Sequence, residues 1–189
     1  MWNPHVSVRV QHQNPELIGK EHEMSVFQGK TFGQRLALLV TTGFGISLVS
    51  PFAPGTFGSF PGVLLAMWCV TWEVWLQAVF AVGMAFLAVP FCTLGEIAFQ
   101  KKDDGRIVAD EWMLFPIAVI GLPLWENLWL LPVCFVVTRL IDIVKPWPAR
   151  GLQRLDGGFG VMIDDFAANL YSLGINWCIW LGYLHFLAR

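Results

Sequence analysis

Leu128-Trp-Leu-Leu-Pro-Val-Cys-Phe-Val-Val-Thr-Arg139-Leu-Ile-Asp142-Ile-Val-Lys145-Pro-Trp-Pro148 begins as membrane-grade hydrocarbon and then admits three charges. Residues three apart on a helix are neighbours on one face, so Arg139, Asp142 and Lys145 form one slanted charged row. Pro146 disfavours helical geometry at Lys145 and is expected to end the helix there. Cation, anion and cation are costly at a lipid boundary unless they face protein, water or a ligand. The row therefore marks a candidate site, with an internal ion-pair ladder through Asp142 as the alternative.

The rest of the chain has the same character. Its 189 residues are 56% hydrophobic and 14% charged, with mean hydropathy +0.57. Soluble domains carry about 25% charged residues, so the composition indicates an integral membrane protein. Ten Trp and fifteen Phe fit the aromatic enrichment of bilayer interfaces. A net charge of −2 gives a nucleic-acid partner no electrostatic footprint. Cys69, Cys92, Cys134 and Cys178 lie in apolar runs without a CxxC pair and read as small buried hydrophobes. His5, His12, His22 and His185 stand outside any charged constellation, which argues against a histidine nucleophile. Residues 1–30 read as a polar tail, expected to be mobile and lacking the apolar core of a signal peptide, and 31–189 read as a single helical membrane domain.

Apolar runs fall at 36–50, 57–72, 75–94, 112–124, 128–144 and 166–187. A full span takes about 20 residues, so the expected fold is all-α, a multi-pass membrane protein of about four to five spans. Run 36–50, broken by Gly43 and Gly45, is the least convincing and suits a re-entrant or interfacial segment. Hairpin apices are expected at Glu73 and at 125–127. With five crossings those apices share one side and carry no Lys or Arg. The 51–56, 95–111 and 145–165 loops share the other, which holds the basic residues and is cytoplasmic by the positive-inside rule.

Three pieces converge on that face. Asp164-Asp165 and Asp110-Glu111 each precede an apolar run. They suit a hard divalent cation such as Mg²⁺, or merely the positive end of the following helix. With Asp142 they place five carboxylates in one region, a cluster that would repel itself without cations. Glu96 is a weaker recruit. In Pro54-Gly-Thr-Phe-Gly-Ser59, the glycines and the Thr56 and Ser59 hydroxyls could cradle an anion, or form an ordinary turn with Ser59 as N-cap. Arg139 offers a two-pronged grip on phosphate and Lys145 a point charge. Together these pieces describe metal-assisted phosphoryl chemistry on a membrane phosphate. A small ion-transporter subunit would instead distribute its acids through the membrane depth.

At these residues the sequence resembles the phosphatidylglycerophosphatase A family. The matching motifs are Pro54–Ser59, Ile107-Val-Ala-Asp110-Glu111, Arg139–Pro148 and Gly157-Gly-Phe-Gly-Val-Met-Ile-Asp164-Asp165, in the family's order from about Phe44 to Ala168. The 99–106 region departs from the pattern, so Arg106 is left out of the site. The resemblance implies an enzyme of the bacterial inner membrane, facing the cytoplasm, with no obligate protein partner. It would hydrolyse phosphatidylglycerophosphate to phosphatidylglycerol with Mg²⁺; another lipid phosphate is the alternative. Asp110, Glu111, Asp164 and Asp165 would hold the metal. Thr56, Gly58, Ser59, Arg139 and Lys145 would bind the phosphate. The nucleophile is a metal-activated water or an aspartate, with Asp142 the best aspartate candidate. Asp165, Arg139 and Lys145 complete the catalytic set.

Overall fold

The computed structural model describes residues 31–49, 53–102, 104–147 and 158–188; the 1–30 tail and the whole of 148–157 lie outside the described residues. Among the described residues every regular element is helical. α1 (Phe32–Thr41) opens on a capping box. Thr31 accepts from the Gln34 amide at 3.4 Å, and the Gln34 side chain accepts from the Thr31 amide at 3.0 Å. Gly43, Phe44 and Gly45 all take positive φ, which turns the chain into the short α2 (Ile46–Val49). Run 36–50 is therefore two short helices, and ten residues of α1 reach about 15 Å, half a bilayer core.

Run 57–72 is broken at Ser59 into α3 (Pro54–Gly58) and α4 (Phe60–Cys69). Glu73 caps α5 (Val74–Phe99), whose 26 residues extend about 39 Å. Its inward stripe is small: Ala81, Ala85, Ala88, Cys92 and Gly95 recur at helical spacing and are all buried. A Cβ on Gly95 would lie 2.7 Å from Thr41, which shows how closely α1 and α5 approach. Thr41 also donates its hydroxyl to the Phe91 carbonyl, and its own carbonyl accepts from the Val108 amide.

Run 112–124, expected as a span, is instead a broken element: α6 (Ala109–Leu114) followed by a 3-10 helix (Phe115–Val119). It runs through the centre of the molecule, with Met113 to Val119 all buried. The departure from regular helix is tolerated because protein, not lipid, surrounds it. α7 (Leu130–Val144) and the 30-residue α8 (Gly158–Leu187) pack against each other and enclose it with α5. Both expected apices meet at one end. Gly121 donates to the Gln77 side chain, and Trp125 donates to the Met67 carbonyl.

Of the four to five expected spans, one helix among the described residues, α5, is both long and apolar enough to cross a bilayer. α7 is short at about 22 Å. α8 is long enough but carries a buried polar stripe, Asp165, Asn169, Ser172 and Asn176, along its inner face.

Candidate active site

The end opposite the apices gathers the charges. α7 ends at Val144 as the proline requires, but Lys145 takes a left-handed conformation at φ 43 rather than an extended one. A non-glycine residue there is strained, and its ammonium shows what holds it. Lys145 Nζ is hydrogen-bonded to Asp164 and lies 3.5 Å from Asp165 and 3.8 Å from Asp142. Burial alone would lower its pKa, but Asp165, Asp164 and Asp142 together push it above the ordinary lysine value.

Arg139 lies one turn before Asp142 and reaches across to α6. Its Nη1 is 2.8 Å from Glu111 Oε2 and 3.5 Å from Asp142 Oδ2. The row on α7 is thus neither a closed ladder nor a solvent face. Each cation takes its tighter carboxylate from another helix, Arg139 from α6 and Lys145 from α8.

Ser59 stands at the N-cap position of α4 without making a capping bond. Its buried hydroxyl lies 2.8 Å from Glu111 Oε2 and 2.6 Å from the Gly55 carbonyl. The turn's glycines permit this approach. A Cβ on Gly55 would come 2.4 Å from Glu111 Oε1, and one on Gly58 would meet Val108 at 2.6 Å. The close contact at Gly58 is therefore with protein. The Thr56 and Ser59 amides are engaged by the Ala53 and Gly55 carbonyls, and the Ser59 hydroxyl is taken up by protein as well. Thr56 is exposed on α3.

The two acid pairs differ. Asp110 and Glu111 occupy the first turn of α6, as expected, and Asp110 accepts from the Glu111 amide at 3.0 Å. Asp164 and Asp165 do not precede their helix. α8 begins at Gly158, which places them about two turns inside, buried and beyond the reach of the helix-end explanation. The charges of Asp110 and Asp142 act on Asp165, and Lys145 Nζ lies 3.5 Å from it. Cys92 of α5 is buried in the same core cluster as Ala109 and Met162, which stand beside the two acid pairs in sequence. Arg106 lies elsewhere, paired with Asp104 at 2.8 Å and stacked on Phe99.

Five carboxylates around two cations leave a formal excess of three negative charges. Lys145 stands between Asp142 and Asp165, and the negative charge that the two cations leave uncompensated favours a bound proton or a further cation. The donors are oxygens, the set a hard divalent cation prefers. Asn169, one turn beyond Asp165 and missed in the sequence, donates to the Asp165 carbonyl and keeps a buried Oδ1 without a hydrogen-bond partner. Among the described residues no three acid, His or Cys side chains are already drawn together round one point. The residues fit such an ion in chemistry, and its entry would exchange ion pairs for metal–oxygen bonds.

The family model of phosphatidylglycerophosphatase A matches residues 39–180, which include every one of these side chains. The chain belongs to the phosphatidylglycerophosphatase A family. It is an enzyme, a phosphatase, and shares 35% identity over 144 residues with phosphatidylglycerophosphatase A of Escherichia coli, covering 75% of this chain and 81% of that one. The Haemophilus influenzae phosphatidylglycerophosphatase A is 33% identical over 143 residues, covering 75% and 86%. A Bacteroides thetaiotaomicron protein with the provisional name phosphatidylinositol-3-phosphatase is 34% identical over 144 residues, covering 72% and 89%. No solved structure matches.

Proposed function

We propose that this chain hydrolyses phosphatidylglycerophosphate to phosphatidylglycerol and inorganic phosphate, in the bacterial cytoplasmic membrane, with its site facing the cytoplasm. The observation that carries the reading is the Arg139–Lys145 cation pair, each member held by a carboxylate of a different helix, at one end of an apolar bundle.

The membrane placement rests on the surface. Val79, Val82 and Phe86 of α5, Val136 and Leu140 of α7, and Leu181 of α8 are exposed, an outward apolar face that lipid would cover. The far end carries interlocked aromatic rings, Trp68 with Trp72 and Phe80, and Trp129 with Tyr183. Asp165 and Trp180 are 15 residues apart on α8, or about 22 Å, a separation that suits an aromatic belt facing a charged boundary. The reading is a multi-pass protein in which α4, α5, α7 and α8 are embedded around the buried α6 element.

Within the site, Arg139 and Lys145 bind the phosphoryl oxygens and neutralise the charge that builds as the ester bond breaks. Glu111 aims Arg139, and Ser59 aims Glu111. Asp142, between the two cations at 3.5 and 3.8 Å, either orients them or attacks phosphorus, with water as the other nucleophile. Asp110, Glu111, Asp164 and Asp165 would hold Mg²⁺, which when bound supplies Lewis-acid charge and lowers the pKa of a bound water. Trapping a phosphoenzyme on Asp142 separates the two nucleophiles.

The Bacteroides relative favours a second substrate reading, a phosphoinositide. Phosphate release by purified protein from phosphatidylglycerophosphate, phosphatidylinositol 3-phosphate and phosphatidic acid, with and without Mg²⁺, tests both. Mg²⁺-dependent release with preference for the first is the expected result; release from the second alone would replace the reading.

A further inference from the structure

The face of α4 that follows Ser59 lines a groove of about 540 Å³, within the range of about 300–1,000 Å³ typical of small-molecule sites. Phe60, Pro61, Leu64 and Trp68 form one wall, Phe44 and Trp112 the other, and no lining side chain is charged. Three observations join it to the phosphate site. Phe60 follows Ser59 and Trp112 follows Glu111, so each wall starts one residue from the bonded pair of which Glu111 holds Arg139. Trp112 is fixed by its Nε1–H donating to the Val40 carbonyl at 3.1 Å. Phe44 stands in the left-handed region at φ 60, with its ring centroid 5.8 Å from that of Trp112.

A phenylalanine in that conformation is strained, and such strain collects at ligand clamps. The ring is nonetheless 60% exposed, and Leu64 across the groove is 69% exposed. Phe60, Leu64 and Trp68 are one turn apart, so the wall runs about 12 Å away from Ser59. One leaflet's hydrocarbon is about 15 Å deep.

We propose that this groove holds one acyl chain of the lipid phosphate while its headgroup lies against Arg139 and Lys145. The proposal rests on the lipid-phosphatase reading above and adds to it the element that recognises the hydrocarbon. The groove starts one residue from Ser59 and from Glu111 and extends along α4, which fits a chain attached to a headgroup in that site better than bulk lipid or a second copy.

The test compares phosphate release by the full chain from long-chain and short-chain phosphatidylglycerophosphate in mixed micelles. Leu64→Trp, which fills the groove, should lower the long-to-short ratio of kcat/KM at least tenfold, through KM for the long-chain lipid. Phe44→Gly removes a wall while accepting the positive φ, so it folds readily and should shift the ratio in the same direction. Val82→Trp on the outer face of α5 should leave the ratio unmoved. An unchanged ratio in both groove variants, an equal fall in Val82→Trp, or a wild type that runs as a dimer beside a monomeric Leu64→Trp would overturn the proposal. A wild type inactive on both lipids would overturn the phosphatase reading and this one with it, a result distinct from an active wild type with unmoved selectivity.

Discussion

Arg139 is held 2.8 Å from Glu111 Oε2, and the same oxygen lies 2.8 Å from the Ser59 hydroxyl. A residue of the glycine-rich turn thereby reaches a cation on α7 through an acid on α6. The site works as a unit because its aiming bonds cross elements.

Glu111→Gln should lower kcat/KM by about 100-fold or more, because a shift of about 1 Å in a positioning group costs about that much. Arg139 keeps Asp142 at 3.5 Å, so the stability loss should stay below the roughly 3–5 kcal/mol of a buried pair broken outright. Kinetics and thermal melting of the purified variant in detergent check both effects.

Gly55→Ala should approach the same kinetic loss without altering any charge. The added Cβ would lie 2.4 Å from Glu111 Oε1 and must displace it. If the two changes act through one carboxylate, the double variant should be little worse than either single one. Measured additivity would break the link.

Arg139→Lys keeps the charge and loses the planar fork, so kcat should fall at least tenfold while the fold persists. Arg106→Lys should leave kcat near wild type, because Arg106 is committed to Asp104 and Phe99. Steady-state kinetics on the two variants provides the comparison.

Outside the site, burial would raise the Asp104 pKa, but its hydrogen bonds to Arg106 and the charges of Arg106 and Lys101 hold it below the usual 3.8. A carboxyl with a depressed folded pKa contributes stability that is present above its unfolded pKa and lost as pH falls through the folded value. Wild type should therefore melt above Asp104→Asn at neutral pH, with the gap closing below about pH 3.8. Melting curves across that range check the sign.

Much of this was legible in the chain. The charged row, the helix end before Pro146, the two apices and the acid pairs followed from spacing and turn chemistry. The broken path of α6 did not, because residues 112–124 are apolar throughout and hydropathy cannot tell protein surroundings from lipid. Asp164 and Asp165 were placed before their helix because Gly157 and Gly158 read as loop, yet α8 starts at Gly158. Pairing across elements was also hidden. Nothing local to Ser59 announces that its hydroxyl turns to Glu111, 52 residues away.

The most direct test is phosphate release from phosphatidylglycerophosphate by Asp165→Asn, in protein shown by melting and gel filtration to be folded. Asp165 is buried, lies 3.5 Å from Lys145 Nζ, and has no helix-end role to explain it. Activity should fall by at least a hundredfold, with Mg²⁺ restoring little of it. Wild-type activity in that variant would contradict the assignment of this cluster as the phosphatase site.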